Sequence, residues 1–225
     1  MTDRYTSLSE LPKALPLFPL RGAILLPRAT LSLNVFEPRY LALVDHALAQ
    51  NRLIGVIQPA HDAGQAESPE GKDFPLRQVG SAGRIAAFTE GDDGRVMISL
   101  AGVARFRLLE EIEAREPFRI SAVDFAPYAM DLVAGHGEDE VDRPRLIATL
   151  RSYLRANRLN ADWDRINSAS NERLVNALSI MSPYGPEEKQ ALLEAPDLKA
   201  RAETLVALAE MELAATDEGP GTTLQ

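Results

Sequence analysis

Two arginines on one predicted strand are the side chains best placed to hold an anion. Arg105 and Arg107 are separated by one residue, so in a strand both project from the face opposite Phe106 and Leu108. A pair of guanidinium groups can hold a carboxylate or a phosphate. Four glutamates follow between positions 110 and 116, and salt bridges to them on a solvated face are the alternative that we favour. Arg105 and Arg107 remain candidates for substrate or partner binding.

The other reactive side chains form no catalytic constellation. His46, His61 and His136 fall on a predicted helix, a predicted mobile loop and a predicted linker, without the spacing of metal ligands. There is no cysteine, and neither a Walker-type loop nor a dinucleotide-binding glycine motif occurs. A serine-lysine dyad needs a lysine in a buried pocket, whereas the lysines lie in segments predicted to be polar or terminal: Lys13, Lys72, Lys189 and Lys199. The sequence therefore predicts no catalytic residue, no metal site and no cofactor.

The composition is that of an ordinary globular protein. The 225 residues are 45% hydrophobic and 25% charged, which is enough for a packed core. The net charge of −9 argues against nucleic acid as a partner, because nucleic-acid binders usually present a basic face. No signal peptide and no apolar run of about 20 residues is recognisable. We therefore expect a cytoplasmic protein with no membrane partner.

The first half of the chain has the pattern of strands. Prolines within Leu15–Leu20 predict an edge or bulged strand that ends in a turn at Arg21 and Gly22. Alternation over Thr30–Val35 predicts a half-buried strand, and a helix over 38–50 follows it, beginning at a proline. Further strands are predicted at 53–57, 79–89, 95–100, 103–109 and 118–125, with a loop at 59–75 and turns at 90–94 and Gly102.

The second half has helical periodicity. A polar segment at 131–144 predicts a linker, and apolar residues at spacings of three and four then predict several helices. Trp163 lies between two of them, where we expect it to fill the junction.

Together these segments resemble the Lon N-terminal domain family, the substrate-recognition domain of Lon protease. The resemblance covers residues 14–213 and rests on the order and spacing of short motifs: Leu15-Pro-Leu-Phe-Pro-Leu-Arg-Gly22, Pro27, Leu33-Asn-Val-Phe-Glu-Pro-Arg-Tyr40, Gly55-Val-Ile57, Val79-Gly80, Gly83-Arg84-Ile85, Gly102-Val-Ala-Arg-Phe-Arg-Leu108, Asp162-Trp163, Glu172–Leu178 and Glu188–Leu198. It implies an α+β fold, with a PUA-like pseudobarrel and one inserted helix at 14–130 and a helical bundle at 145–213. Residues 1–13 and 214–225 would be flexible tails.

The resemblance also implies a function. We expect a stand-alone bacterial-type member without the ATPase and protease modules, and hence a non-catalytic module that binds unfolded or tagged polypeptide through apolar residues outside the core. Such a module could act as an adaptor in protein quality control, with a protease as a further partner. Two alternatives stay open: an RNA-binding PUA-like module, and a small-molecule sensor or enzyme that uses an uncharacterised pocket.

Eight residues carry the family signature, and we assign them structural roles. Phe36 and Tyr40 are expected to pack in the core, so that Phe36→Ala would cost about 3–5 kcal/mol if the ring is buried. Pro38 would set the strand-to-helix turn. The full set is Pro19, Arg21, Gly22, Phe36, Glu37, Pro38, Arg39 and Tyr40.

Overall fold

The computed structural model describes residues 5–60 and 74–217. His61, Lys72, most of the predicted loop at 59–75 and the outer parts of both predicted tails lie outside these residues. Contacts divide the chain into two compact units. Unit 1 comprises the residues up to Ala134 together with Ser182–Glu194, and unit 2 comprises Gly135–Met181 and the residues from Ala195 onward.

Unit 1 is built on a six-stranded sheet that closes on itself. The strands are β1 (Ala14–Pro19), β2 (Thr30–Val35), β3 (Leu53–Pro59), β4 (Leu76–Glu90), β5 (Val96–Ile112) and β6 (Arg119–Asp124). Their spatial order is β2-β5-β4-β3-β1-β6, and β6 also pairs with β5. Five strands therefore form a ring, while β2 extends the sheet outside the ring as an edge strand on β5. The predicted α+β class and pseudobarrel are confirmed.

The expectation that β1 is an edge strand is wrong. It lies between β3, to which it is parallel, and β6, to which it is antiparallel. Leu15 and Leu17 are fully buried inside the ring. The free energy gained by burying these side chains outweighs the cost of the backbone hydrogen bonds that the two prolines of the strand cannot donate. Gly55 of β3 pairs with Leu17 of β1. A Cβ atom at Gly55 would lie 2.8 Å from a Leu17 methyl carbon.

The prediction of a turn at Gly102 is also wrong, because Gly102 lies within β5, beside a bulge in the pairing with β4. A Cβ atom at Gly102 would lie 2.0 Å from the carbonyl oxygen of Leu26. The Gly102 amide donates to the Ala29 carbonyl at 2.9 Å, and its carbonyl accepts from the Arg28 amide at 2.9 Å. Glycine is needed here for the close approach of a neighbouring loop, which sequence reading mistook for a turn.

Two apolar clusters stabilise unit 1. One fills the ring and includes Leu15, Leu17 and Phe106. The other lies between the sheet and helix α1 (Pro38–Ala49), whose buried residues include Tyr40 and Val44. Shorter 3-10 helices occupy Leu8–Glu10 and Ala126–Leu132. Leu11 is buried as well, so part of the predicted N-terminal tail packs against the core.

Unit 2 is helical. Its core contains Leu146, Val175, Leu205 and Val206. Trp163 is half-buried rather than enclosed, and the Arg151 guanidinium lies 4.3 Å from its ring centroid. Unit 2 contains a 3-10 helix at Glu138–Glu140, within the predicted linker, and α2 (Arg143–Ala156), α3 (Trp163–Ser168), α4 (Asn171–Met181) and α6 (Leu198–Asp217). The last helix extends into the predicted C-terminal tail.

Helix α5 (Pro186–Glu194) belongs to unit 1, although the sequence boundaries placed it in the bundle at 145–213. Its side chains bond to the strands: Gln190 donates to the Val79 carbonyl at 3.1 Å, and Arg77 of β4 pairs with Glu187. Among the described residues, no helix combines the length and the apolar character that a membrane span requires.

Candidate functional site

The two candidate arginines of β5 have different surroundings. Arg105 is 3% exposed, and its Nε and Nη2 donate to the two carboxylate oxygens of Asp131 at 2.9 and 2.8 Å. Its Nη1 donates to the Leu193 carbonyl at 3.1 Å, and its guanidinium lies 4.6 Å from the Tyr128 ring centroid. Arg107 is exposed. The two residues therefore do not form a joint anion clamp.

The favoured alternative of salt bridges to the nearby glutamates also fails for Arg105, whose ion-pair partner is the distant Asp131. Glu111 pairs instead with Arg119 of the neighbouring strand, at 2.6 Å. Burial raises the pKa of the Tyr128 phenol, and the positive charges of Arg105 and Arg107 oppose this rise. The contacts of Arg105 hold the 3-10 helix at Ala126–Leu132 and helix α5 onto the ring. A binding role for Arg107 stays a prediction.

The turn that follows β1 is held by a buried glutamine. Gly22, at a φ of +71°, donates its amide to Gln58 Oε1 at 2.7 Å. The Gln58 amide nitrogen donates to the Pro186 carbonyl at 2.9 Å and to Gln190 Oε1 at 3.1 Å. Gln58 is 1% exposed, so the first signature motif contributes to a satisfied interior network.

The second signature motif divides into a buried part and an exposed part. Tyr40 is buried, with its ring centroid 4.3 Å from that of Phe18. The Arg39 guanidinium pairs with Glu37 at 2.8 Å and also stacks on Tyr40. Phe36, however, is 60% exposed. The expectation that its ring packs in the core is wrong, because β2 ends at Val35 and the chain leaves the sheet before the helix begins.

Phe36 lies at an apolar end of the sheet, which we call the apolar tip and define as Phe36 and Met97. Met97 is 59% exposed. Phe88, which is 45% exposed, pairs with Ile98 and so lies on the opposite face of β4 and β5. Met97 pairs with Asn34 of β2 and with Thr89 of β4, so it lies on the outer face of these strands. The Arg95 guanidinium lies 5.7 Å from the Phe36 ring centroid, beside the start of β5.

Strand β2 borders the apolar tip and has a free edge. Among residues 5–60 and 74–217, only β5 pairs with it. Its residues alternate between half-buried Leu31 and Leu33 and exposed Ser32 and Asn34. An unpaired strand edge presents a row of backbone donors and acceptors that can accept a further strand. Exposed apolar side chains and a free strand edge thus occur together.

The described residues offer no comparable arrangement for metal chemistry. No group of three or more His, Asp or Glu side chains in this part of the chain is placed to hold a metal ion. Of the histidines, His46 lies on α1, with its ring beside Phe118, and His136 lies exposed in unit 2.

The sequence model of the ATP-dependent protease La (LON) substrate-binding domain matches residues 14–210. The chain belongs to this family. The resemblance recognised from the sequence motifs is thereby confirmed.

Curated relatives of the chain include full Lon proteases. The Lon protease of Flavobacterium johnsoniae is 28% identical over 219 residues, which cover 91% of this chain and 25% of that protein. Lon protease 2 of Myxococcus xanthus is 27% identical over 204 residues, which cover 88% of this chain and 24% of that protein. The chain thus spans about a quarter of the length of these relatives.

Solved Lon N-terminal domains share the fold. The Lon N-terminal domain protein of Xanthomonas campestris superposes with a TM-score of 0.59 at 24% identity, covering 87% of this chain and 98% of that one. The N-terminal domain of the Mycobacterium avium complex Lon protease gives a TM-score of 0.61 at 16% identity, covering 88% and 98%. The PUA-like description fits the five-stranded ring of this chain.

The sequence motifs include Phe36, for which they suggested a place in the core, and they do not include Met97. Met97 could have been found from its place in a strand, because Val96, Ile98 and Leu100 alternate with it and take the buried side. The exposure of Phe36 had no such signal, since the alternating pattern ends one residue earlier.

Proposed function

We propose that the protein is a non-catalytic module that recognises polypeptide substrates in extended conformation. The observation that carries this proposal is the free edge of β2 beside the apolar tip. Membership in the LON substrate-binding family supports the class of ligand, since full Lon proteases are among the relatives. An adaptor role, in which the module passes its ligand to a protease, is the finer form of the proposal.

The proposed mode of binding is strand addition. An extended segment would pair its backbone with β2, and the alternation of its side chains would place every second residue toward the outer face. Met97 and Phe36 would there supply apolar contact area. Unfolded chains satisfy both requirements, because their backbone groups are unpaired and their apolar side chains are exposed.

Nucleic acid is the less favoured ligand of this surface. The loop between β4 and β5 adjoins the apolar tip and carries Asp92 and Asp93, against one arginine, Arg95. A single-stranded nucleic acid needs a positively charged groove with stacking aromatic residues. The acidic loop repels phosphate and leaves an apolar polypeptide unaffected.

Fluorescence anisotropy with a labelled, permanently unfolded polypeptide tests the proposal. We expect saturable binding that Met97→Ser and Phe36→Ser each weaken several-fold. Met181→Ser is the matched control, because Met181 is 79% exposed and lies in unit 2. Equal affinities of Met97→Ser and Met181→Ser, or saturable binding of single-stranded RNA with none of polypeptide, would refute it.

A ligand-side experiment tests strand addition with the protein unchanged. Backbone N-methylation removes an amide donor, so methylation of alternate residues in a bound peptide should abolish pairing when the methylated set faces β2. The peptide methylated at the other alternate set should bind nearly as well as the parent. Identical affinities of the two methylated peptides would exclude pairing at this edge.

A further inference from the structure

A polar cavity of about 380 Å³ in unit 1 is lined by two arginines, Arg52 and Arg84. Tyr5, Gln50 and Asn51 add neutral polar groups, and Glu10 supplies a carboxylate. The cavity has the volume of a typical small-ligand site. None of these side chains belongs to the eight signature residues or to the apolar tip. Arg84 occurs in the Gly83-Arg84-Ile85 motif, where it was given no role.

The pairing of β3 with β4 brings the two arginines together. Leu53 and Arg84 are cross-strand partners, and the Ile85 amide donates to the Arg52 carbonyl at 2.8 Å. Cross-strand partners project from the same face of a sheet. Leu53 is buried in the cluster that fills the ring. The Arg84 side chain therefore starts on the interior face of the ring, next to this cluster.

Neither guanidinium group has a partner within the described part of the chain, and Arg52 is exposed whereas Arg84 is half-buried. The Nε–H of Arg84 is buried and donates to no group there. No hydrogen bond or ion pair of the described residues involves the side chain of Arg52 or the remaining nitrogens of Arg84. A buried cationic donor without a partner is unfavourable. An oxyanion in the cavity would give the two arginine side chains that line it an acceptor.

The charges in the cavity fit one anion. Glu10 Oε2 accepts from the backbone amides of Thr6 and Ser7 at 2.6 and 3.0 Å and from the Thr6 hydroxyl at 3.3 Å. The backbone hydrogen bonds lower the pKa of Glu10, so this carboxylate is ionised near neutral pH. It offsets one of the two arginine charges, and a single positive charge remains for a ligand.

We propose that this cavity binds a carboxylate or phosphate group between Arg52 and Arg84. The guanidinium fork presents paired donors in the plane that these oxyanions prefer. The cavity exceeds the volume of one anion, so the group belongs to a small molecule or to the end of a chain. The site does not depend on polypeptide binding at the apolar tip.

Backbone amide NMR of the full chain tests the site. Three probes are titrated at constant ionic strength: sodium phosphate, a short peptide with a free C-terminal carboxylate, and the same peptide with a C-terminal amide. Saturable shifts at Arg52, Leu53 and Arg84 are expected with at least one of the first two probes and not with the amide. Saturation by the carboxylate peptide alone identifies a chain terminus as the source, and saturation by phosphate alone identifies a free phosphate group. Shifts that stay linear with all three probes overturn the proposal.

Substitutions supply the second measurement. Arg84→Met and Arg52→Met should each lower the affinity of the protein for the saturating probe at least about tenfold. Arg115→Met is the control, because Arg115 is exposed in the same unit and away from the cavity. Equal affinities of Arg84→Met and Arg115→Met overturn the site.

Glu10→Gln keeps the test valid if an arginine variant fails to fold. A glutamine oxygen can still accept from the Thr6 and Ser7 amides, while the negative charge is lost. Anion affinity should rise several-fold, and an unchanged or lower affinity contradicts the proposal.

Discussion

Arg105 and Arg84 lie on adjacent strands of the same ring and have opposite surroundings. Arg105 is enclosed beneath α5 and the 3-10 helix, with both oxygens of Asp131 and the Leu193 carbonyl as acceptors. Arg84 is half-buried, and its buried Nε has no acceptor among the described residues. The set of partners thus distinguishes the two side chains. A saturated guanidinium stabilises the fold, whereas a buried guanidinium nitrogen without an acceptor costs stability.

The same contrast separates Tyr40 from Phe36. Tyr40 packs on Phe18 in the interior, and Phe36 is exposed at the apolar tip. Two aromatic residues of one motif thus have opposite surroundings. Each enclosed residue should therefore stabilise the fold, and each exposed residue should contribute little to its stability.

Arg105→Met has the largest expected effect. It leaves the Asp131 carboxylate buried without its ion-pair partner, which should lower the free energy of unfolding by about 3–5 kcal/mol. Urea denaturation measures the loss. Arg107→Met, two residues away and exposed, should stay within about 0.5 kcal/mol of the parent. Similar losses in both variants would mean that the Asp131 pair does not stabilise the fold.

Tyr40→Ala and Phe36→Ala should differ by several kcal/mol. Removal of the buried Tyr40 ring should cost about 3–5 kcal/mol, as large-to-small aromatic substitutions in cores do. Phe36→Ala should change the free energy of unfolding by no more than about 0.5 kcal/mol, because the ring is 60% exposed. Thermal and urea unfolding of both variants check this. A Phe36→Ala loss as large as that of Tyr40→Ala would return Phe36 to the core.

Lys189 of α5 should make stability depend on pH. Burial lowers its pKa from 10.5 to about 8. Below pH 8 both folded and unfolded chains hold the proton, so the cost of burying the charge is fully present. Between pH 8 and 10.5 the unfolded chain holds more protons than the folded one, and stability rises with pH. Above pH 10.5 Lys189 is neutral in both states, so the cost of burying its charge is absent.

Comparison with Lys189→Met isolates this contribution. The variant should be the more stable protein at pH 7, and its advantage should shrink as the pH approaches 10. Urea denaturation of both proteins from pH 7 to 10 provides the measurement, and titrations elsewhere in the chain cancel in the difference. A difference that stays constant with pH would show that Lys189 does not titrate in this window.

Arg84→Met should have a small effect on stability. Methionine keeps most of the apolar length and removes a buried donor that has no partner among the described residues. The free energy of unfolding should therefore change by less than about 1 kcal/mol in either direction. Chemical denaturation in anion-free buffer checks this. A loss comparable to that of Arg105→Met would show that Arg84 has a structural role, and the contrast between the two arginines would then fail.

Much of the fold could be predicted from local patterns. Alternation identified β2 at its observed bounds, and Pro38 with its apolar stripe identified α1 to within one residue. The change from strand to helix periodicity separated the two halves of the chain. Motif order identified the family. Each of these signals lies within a short window of sequence, where the backbone conformation is set by neighbouring residues.

The sequence by itself thus determined the elements, the family and the absence of cysteine chemistry. Only the tertiary structure decided that β1 lies inside a closed ring, that Asp131 pairs with Arg105, and that Arg52 and Arg84 line one cavity. Burial and ion pairing depend on which distant segments meet. That outcome is set by the packing of the whole sheet, so a local pattern of residue types carries no information about it.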